Sequence, residues 1–171
     1  MEPRDDHGGT AELRPPRHRV SPRAIWYWTS RALAGWLGLA LVQAVLLVIL
    51  PDGRLDLHVG ALIATTVAGA AHVIVMPQWR FRVHRWEVTP HAVYTQSGWF
   101  DQERRIAPIS RIQTIDSERG PLEQLFGLAN VTVTTASAAG PLKIHGLDRA
   151  TSQRIVEELT ANTETAPGDA T

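Results

Sequence analysis

Two apolar runs separated by a six-residue corner constrain this chain more than any other feature. The first, Ala32–Leu50, is nineteen residues with no formal charge and one strongly polar residue, Gln43. As a helix rising about 1.5 Å per residue it extends roughly 28 Å, close to the ~30 Å hydrocarbon core of a bilayer. The second, Leu57–Met76, is also free of formal charge and carries His58 and His72 near its ends. A chain of 171 residues has too little other mass to bury two such helices in a soluble fold. The sequence therefore predicts a transmembrane hairpin over residues 24–78, with helices at about 32–50 and 57–76.

The corner Pro51–Asp56 reads PDGRLD. Proline and glycine favour a turn, and six residues cannot recross a membrane, so the helices are expected to run antiparallel. Arg17, Arg19, Arg23 and Arg31 precede the first run, and Arg80, Arg82 and Arg85 follow the second. The corner offers only Arg54, beside Asp52 and Asp56. The excess of arginine outside the hairpin places both termini in the cytoplasm and the chain in the plasma membrane as a multi-pass protein. Trp26, Tyr27, Trp28, Trp79 and Trp86 suit the interfacial aromatic belt on that side. The first run is too long for a signal peptide's apolar core. Ile49–Asp52 offers no small-residue cleavage site, so the run is read as a retained anchor.

Ala61, Thr65 and Gly69 recur at every fourth position, a small-residue face that lets helices approach closely. Counting inward from the corner puts Gln43 level with Thr65. The expected helix–helix contact is therefore Gln43, Ala61, Thr65 and Gly69, with a hydrogen bond from Gln43 to Thr65. One glutamine and two threonines without an intramembrane carboxylate make a poor solute path. His72 is read as an interfacial histidine.

Charge is uneven although the total is zero. Residues 1–86 hold ten arginines against six acidic residues, whereas residues 87–171 hold seven basic against eleven acidic. The acidic half argues against nucleic acid as a partner. The chain has no cysteine, which excludes disulfides, thiolate metal sites and a cysteine nucleophile. Residues 1–23, rich in Gly, Pro, Arg and Asp, read as a disordered basic tail, and 162–171 as a second tail. Arg17, Arg19, Arg23, Arg80, Arg82 and Arg85 are the expected contacts to lipid headgroups, each worth about 1 kcal/mol near an anionic surface.

Beyond the hairpin the pattern turns to strands. Phe81–Val88, Ala92–Ser97, Trp99–Ile106, Arg111–Ser117, Asn130–Thr135 and Leu142–His145 are short runs with β-branched or aromatic residues, bounded by turn signals. Leu122–Phe126 reads as a helical turn ended by Gly127. Asp148 can cap a helix through Leu159 whose apolar face is Ile155, Val156 and Leu159. The predicted fold of residues 79–161 is thus an α+β, PH-like domain: an antiparallel β-barrel or bent sheet capped by one C-terminal helix.

The ordered string Val88-Thr89, Ser97-Gly98-Trp99-Phe100, Ile106-Ala107-Pro108-Ile109-Ser110-Arg111-Ile112-Gln113 and Leu125-Phe126-Gly127-Leu128-Ala129, followed by Val131-Thr132-Val133, carries a resemblance. With the hairpin it covers about residues 26–160. The chain resembles the YdbS-like bacterial PH-domain membrane proteins. That resemblance implies a fold and a placement in the membrane, but no catalytic set.

No chemistry emerges from the motifs. Asp101, Glu103, Asp116 and Glu118 alternate in strands as a solvated face would. His84, His91 and His145 lack metal-ligand spacing, and Ser110, Ser117 and Ser137 sit in no nucleophile elbow. Arg104, Arg105 and Arg111 form a basic cluster that Asp101 and Glu103 can pair. No catalytic residue, cofactor or metal site is expected. The leading expectation is a membrane-tethered binding or assembly module whose partner is a protein, a paralogue or another copy of the chain. The alternative is a sensor of anionic lipid acting through the juxtamembrane arginines, and behind it stands an enzyme or transporter component.

Overall fold

The computed structural model describes residues 14–49, 55–138 and 140–165. Most of the predicted corner and the outer parts of both tails lie outside the described residues. The apolar runs form two helices, α1 (Arg23–Ile49) and α2 (Leu55–Val83). Both are long and apolar enough to cross a membrane. Gln43 Nε2 donates to Thr65 Oγ1 at 2.8 Å, at the level the corner count indicates. Trp36 Nε1 donates to His72 Nδ1 at 2.9 Å, so His72 is engaged within the helix pair. A Cβ on Gly69 would lie 3.0 Å from the Trp36 indole, so glycine is what admits the ring. Ala61, on the same expected face, is exposed.

Both helices are longer than the apolar runs, and the extra turns belong to the domain. α1 begins at Arg23, and Ala24, Tyr27 and Trp28 are buried in the domain's core, a stripe at helical spacing. α2 continues through Pro77 to Val83, with Met76, Pro77 and Val83 buried. Phe81–Val83 is therefore helical, and the strand predicted from Phe81 starts only at Arg85. Tyr27, Trp28 and Trp86 pack inside and are not an interfacial belt, whereas Trp26 and Trp79 stay exposed. The arginines around these aromatics masked a core signal.

The domain contains two antiparallel sheets. The first has the order β1-β2-β3-β4: β1 (His18–Arg19), β2 (Arg85–Val88), β3 (Ala92–Gly98) and β4 (Gln102–Pro108). The second, β5-β6-β7, comprises Ile112–Glu118, Leu128–Thr135 and Leu142–Asp148. Among the described residues β4 and β5 are not paired, so the sheets do not close into a barrel. Gly98 ends β3 at φ +110°, and a Cβ there would collide with the Asp101 carbonyl, so the β3–β4 turn demands glycine. A short helix α3 (Pro121–Leu125) precedes β6.

The C-terminal helix α4 (Arg149–Thr165) starts where Asp148 Oδ1 accepts from the Thr151 amide at 2.9 Å, the cap expected from the sequence. Ile155 and Leu159 are fully buried against the sheets, with Val156 beside them. Residues 14–23 are not a free tail. β1 pairs with β2, Val20 is buried, and Glu87 holds Arg14 at 2.8 Å and Arg17 at 3.4 Å. Glu87 is buried, so a pair of arginines folded back onto it supplies the compensation its charge requires.

Candidate functional site at the helix–domain junction

Where the extended ends of α1 and α2 meet β6, β7 and α3 they leave a cleft of about 450 Å³. One wall is Arg80 and Trp28, and His84 packs against both. The Arg80 guanidinium lies over the Trp28 indole at 4.7 Å, and the Trp28 and His84 rings are 5.1 Å apart. The i, i+4 spacing places His84 under Arg80: His84 Nδ1 donates to the Arg80 carbonyl at 2.9 Å, and Nε2 accepts from Arg80 Nε at 3.4 Å. Burial, helped by the Arg80 charge, lowers the His84 pKa to about 4. The imidazole is neutral at physiological pH. His145 of β7 faces the same cleft, and burial, then Arg80 and Lys143, lowers its pKa as well.

The opposite wall is a chain of three polar groups. Tyr27 Oη donates to Glu123 Oε1 at 2.7 Å, and Arg31 Nη1 donates to Tyr27 Oη at 2.9 Å. The Tyr27 hydrogen bond is the main reason the Glu123 carboxyl sits below its ordinary pKa. The cleft thus holds two guanidinium ions, one carboxylate already engaged by Tyr27, and the buried His145, with His84 in contact with the Trp28 and Arg80 that line it. Among the described residues no carboxylate lies within 4 Å of Arg80 or Arg31. An anion with several acceptor oxygens complements such a site.

The six arginines expected at lipid headgroups are dispersed. Arg80 enters the cleft. Arg17 is paired with Glu87, and the Arg19 guanidinium lies over Phe81 at 5.9 Å. Arg23 reaches the turn at Gly127. Arg82 and Arg85 line a separate shallow cleft with Trp79 and Gln96. Sequence reasoning used Arg31 only for topology. Its Tyr27 neighbour at i−4 was a local hint, but Glu123 arrives from α3 and His145 from β7, both distant in sequence, and could not be read locally. Among the described residues no group of three His, Cys, Asp or Glu could hold a metal ion.

The comparisons with known proteins agree with this architecture. The model of the bacterial PH domain family matches residues 32–163. The UPF0699 transmembrane protein YdbS of Bacillus subtilis (strain 168) is 30% identical over 131 residues, 71% of this chain and 78% of that protein. No solved structure matches the chain. Neither the family description nor the relative's name states a reaction. The match extends from α1 through both sheets into α4, taking in helices and domain alike: this chain belongs to the bacterial PH domain family, as a membrane protein similar to YdbS.

Proposed function

We propose that this chain is a non-catalytic binding module of the plasma membrane, with both termini in the cytoplasm, and that its junction cleft takes the phosphate of an anionic lipid headgroup. The observation that carries the reading is Arg80. Its guanidinium is partly buried at the level where the spanning helices meet the domain, stacked on Trp28 and without a carboxylate within 4 Å among the described residues. A cation in that position is costly unless an anion completes it. Arg31, held by Tyr27 across the cleft, supplies the second donor to a phosphate.

Full-length protein in nanodiscs of mixed phosphatidylglycerol and phosphatidylcholine tests this by native mass spectrometry. The protein is expected to retain phosphatidylglycerol several-fold over phosphatidylcholine, and Arg80→Gln to abolish the preference while the chain stays folded. Equal retention of both lipids, or a preference indifferent to Arg80→Gln, overturns the reading. A second reading, docking of a protein partner or another copy, rests on the outer edges of β4 and β5, which pair with no other strand among the described residues. A stoichiometric protein that co-purifies and is lost on substitution along those edges favours it.

A further inference from the structure

The turn between β3 and β4 is Trp99-Phe100-Asp101, and its two aromatic side chains are not folded into the core. Phe100 is 92% exposed and Trp99 44%. Isolated on a soluble domain, such a tip would be an apolar patch in water. Its position is different here. The Trp99 ring packs edge-on against His72 at 5.7 Å, and Phe100 follows with its ring 6.2 Å from Trp99. His72 lies inside the apolar run of α2 and is bonded to Trp36 of α1. It is eight residues before Arg80, about 12 Å deeper along the helix.

The β3–β4 hairpin therefore runs from the domain back along α2, with Gln96 beside Trp79 and Val83 and its tip at His72. A tip at that depth of a membrane-spanning helix is not surrounded by bulk water. We propose that Trp99 and Phe100 insert into the acyl–headgroup boundary of the leaflet on the domain side, making the hairpin a third membrane contact. The occupant around Phe100 is lipid, because the tip is continuous with the lipid-facing surface of α2, where Ile74 and Val75 are exposed. Tryptophan and phenylalanine are suited to that boundary. Asp101 in the turn, and Arg104 and Arg105 farther up β4, limit how deep the tip goes, since a charge in the hydrocarbon is costly. The hairpin would fix the domain's tilt on the membrane without depending on the junction cleft being a lipid site.

The chain contains no cysteine, so a single spin label can be placed without background. The full-length Phe100→Cys protein, labelled and reconstituted in phosphatidylcholine–phosphatidylglycerol bilayers, is measured by power saturation with oxygen and with an aqueous nickel chelate. The label is expected to be several-fold more accessible to oxygen than to the chelate, as at the exposed helix position Val75→Cys. Glu118→Cys on β5 is expected to show the reverse. A chelate-accessible label at position 100 would place the tip in water and overturn the proposal. Low accessibility to both reagents would mean that protein covers the tip, and would overturn it equally. Should the labelled chain fail to reconstitute, quenching by brominated acyl chains decides the matter with native residues. Trp99→Phe should remove a quenchable part of the tryptophan emission, and unchanged quenching refutes the insertion.

Discussion

The two ends of the helix pair are built on opposite terms. Away from the domain, Leu41, Val48, Ile63 and Val67 are exposed, and a side-chain hydrogen bond from Gln43 to Thr65 joins the helices there. Beside the domain, Ala24, Tyr27, Trp28, Met76 and Val83 are buried, with Arg80 stacked above Trp28. The first end is a generic solution to crossing a bilayer, where apolar side chains face lipid and helix contacts gain little. The second end is part of a folded core. The domain is thus not tethered by a flexible linker. Its core includes the first turns of α1 and the last turns of α2, so both spanning helices line the cleft directly.

The largest effect is expected from the domain end. Trp28 is 4% exposed and touches the core, His84 and Arg80 at once. Trp28→Ala is expected to cost about 3–5 kcal/mol, the range for truncating a buried large aromatic, and to unseat Arg80 as well. Thermal unfolding of the full chain in detergent would show it as a large drop in Tm. A loss no greater than for Leu41→Ala on the lipid-facing side would mean that the helix end is not part of the core.

How much of this was legible in the sequence follows the same divide. The spanning runs, the Gln43–Thr65 pair, the Asp148 cap and the Ile155–Leu159 face were readable because each depends on residues close in sequence or on simple helical counting. The junction was not. Tyr27 and Trp28 beside arginines look the same whether they face headgroups or a core, and only contacts with β6 and β7 distinguish the two. The Phe81–Val83 segment carries strand-like residues yet remains helical, because burial of Met76, Pro77 and Val83 against the domain outweighs local propensity. Residues 14–20 read as tail by composition, but Arg14 and Arg17 are complements to Glu87, seventy positions away for Arg17.

The next effect is one of pH. His84 has its pKa lowered from 6.5 to about 4, so the fold holds the neutral ring while the unfolded chain takes up a proton as pH falls below 6.5. Stability contributed by the neutral ring is complete above that value and is lost between about pH 6.5 and 4, up to roughly 3 kcal/mol. His145, also lowered, adds loss of the same sign, whereas Glu123 gives up its share at more acidic pH. Tm should therefore fall across that window. His84→Phe, which keeps a ring against Trp28 but cannot titrate, should flatten the fall. An unchanged slope in His84→Phe would assign the effect elsewhere and remove His84 from the comparison.

The smallest effect is expected at the far end. Gln43 Nε2 donates to Thr65, but Gln43 Oε1 is buried without a hydrogen-bond partner among the described residues. Gln43→Leu removes one bond of about 0.6 kcal/mol and at the same time removes an unsatisfied acceptor, so the two terms oppose each other. The net change should stay under about 1 kcal/mol, read as a Tm shift close to the error of the measurement. The cleft should be unaffected, because about 18 Å of helix separates Gln43 from Arg31. A large loss of stability, or a loss of lipid preference in this variant, would show that the two ends are coupled, and the contrast between a generic anchor and a shared core would fail.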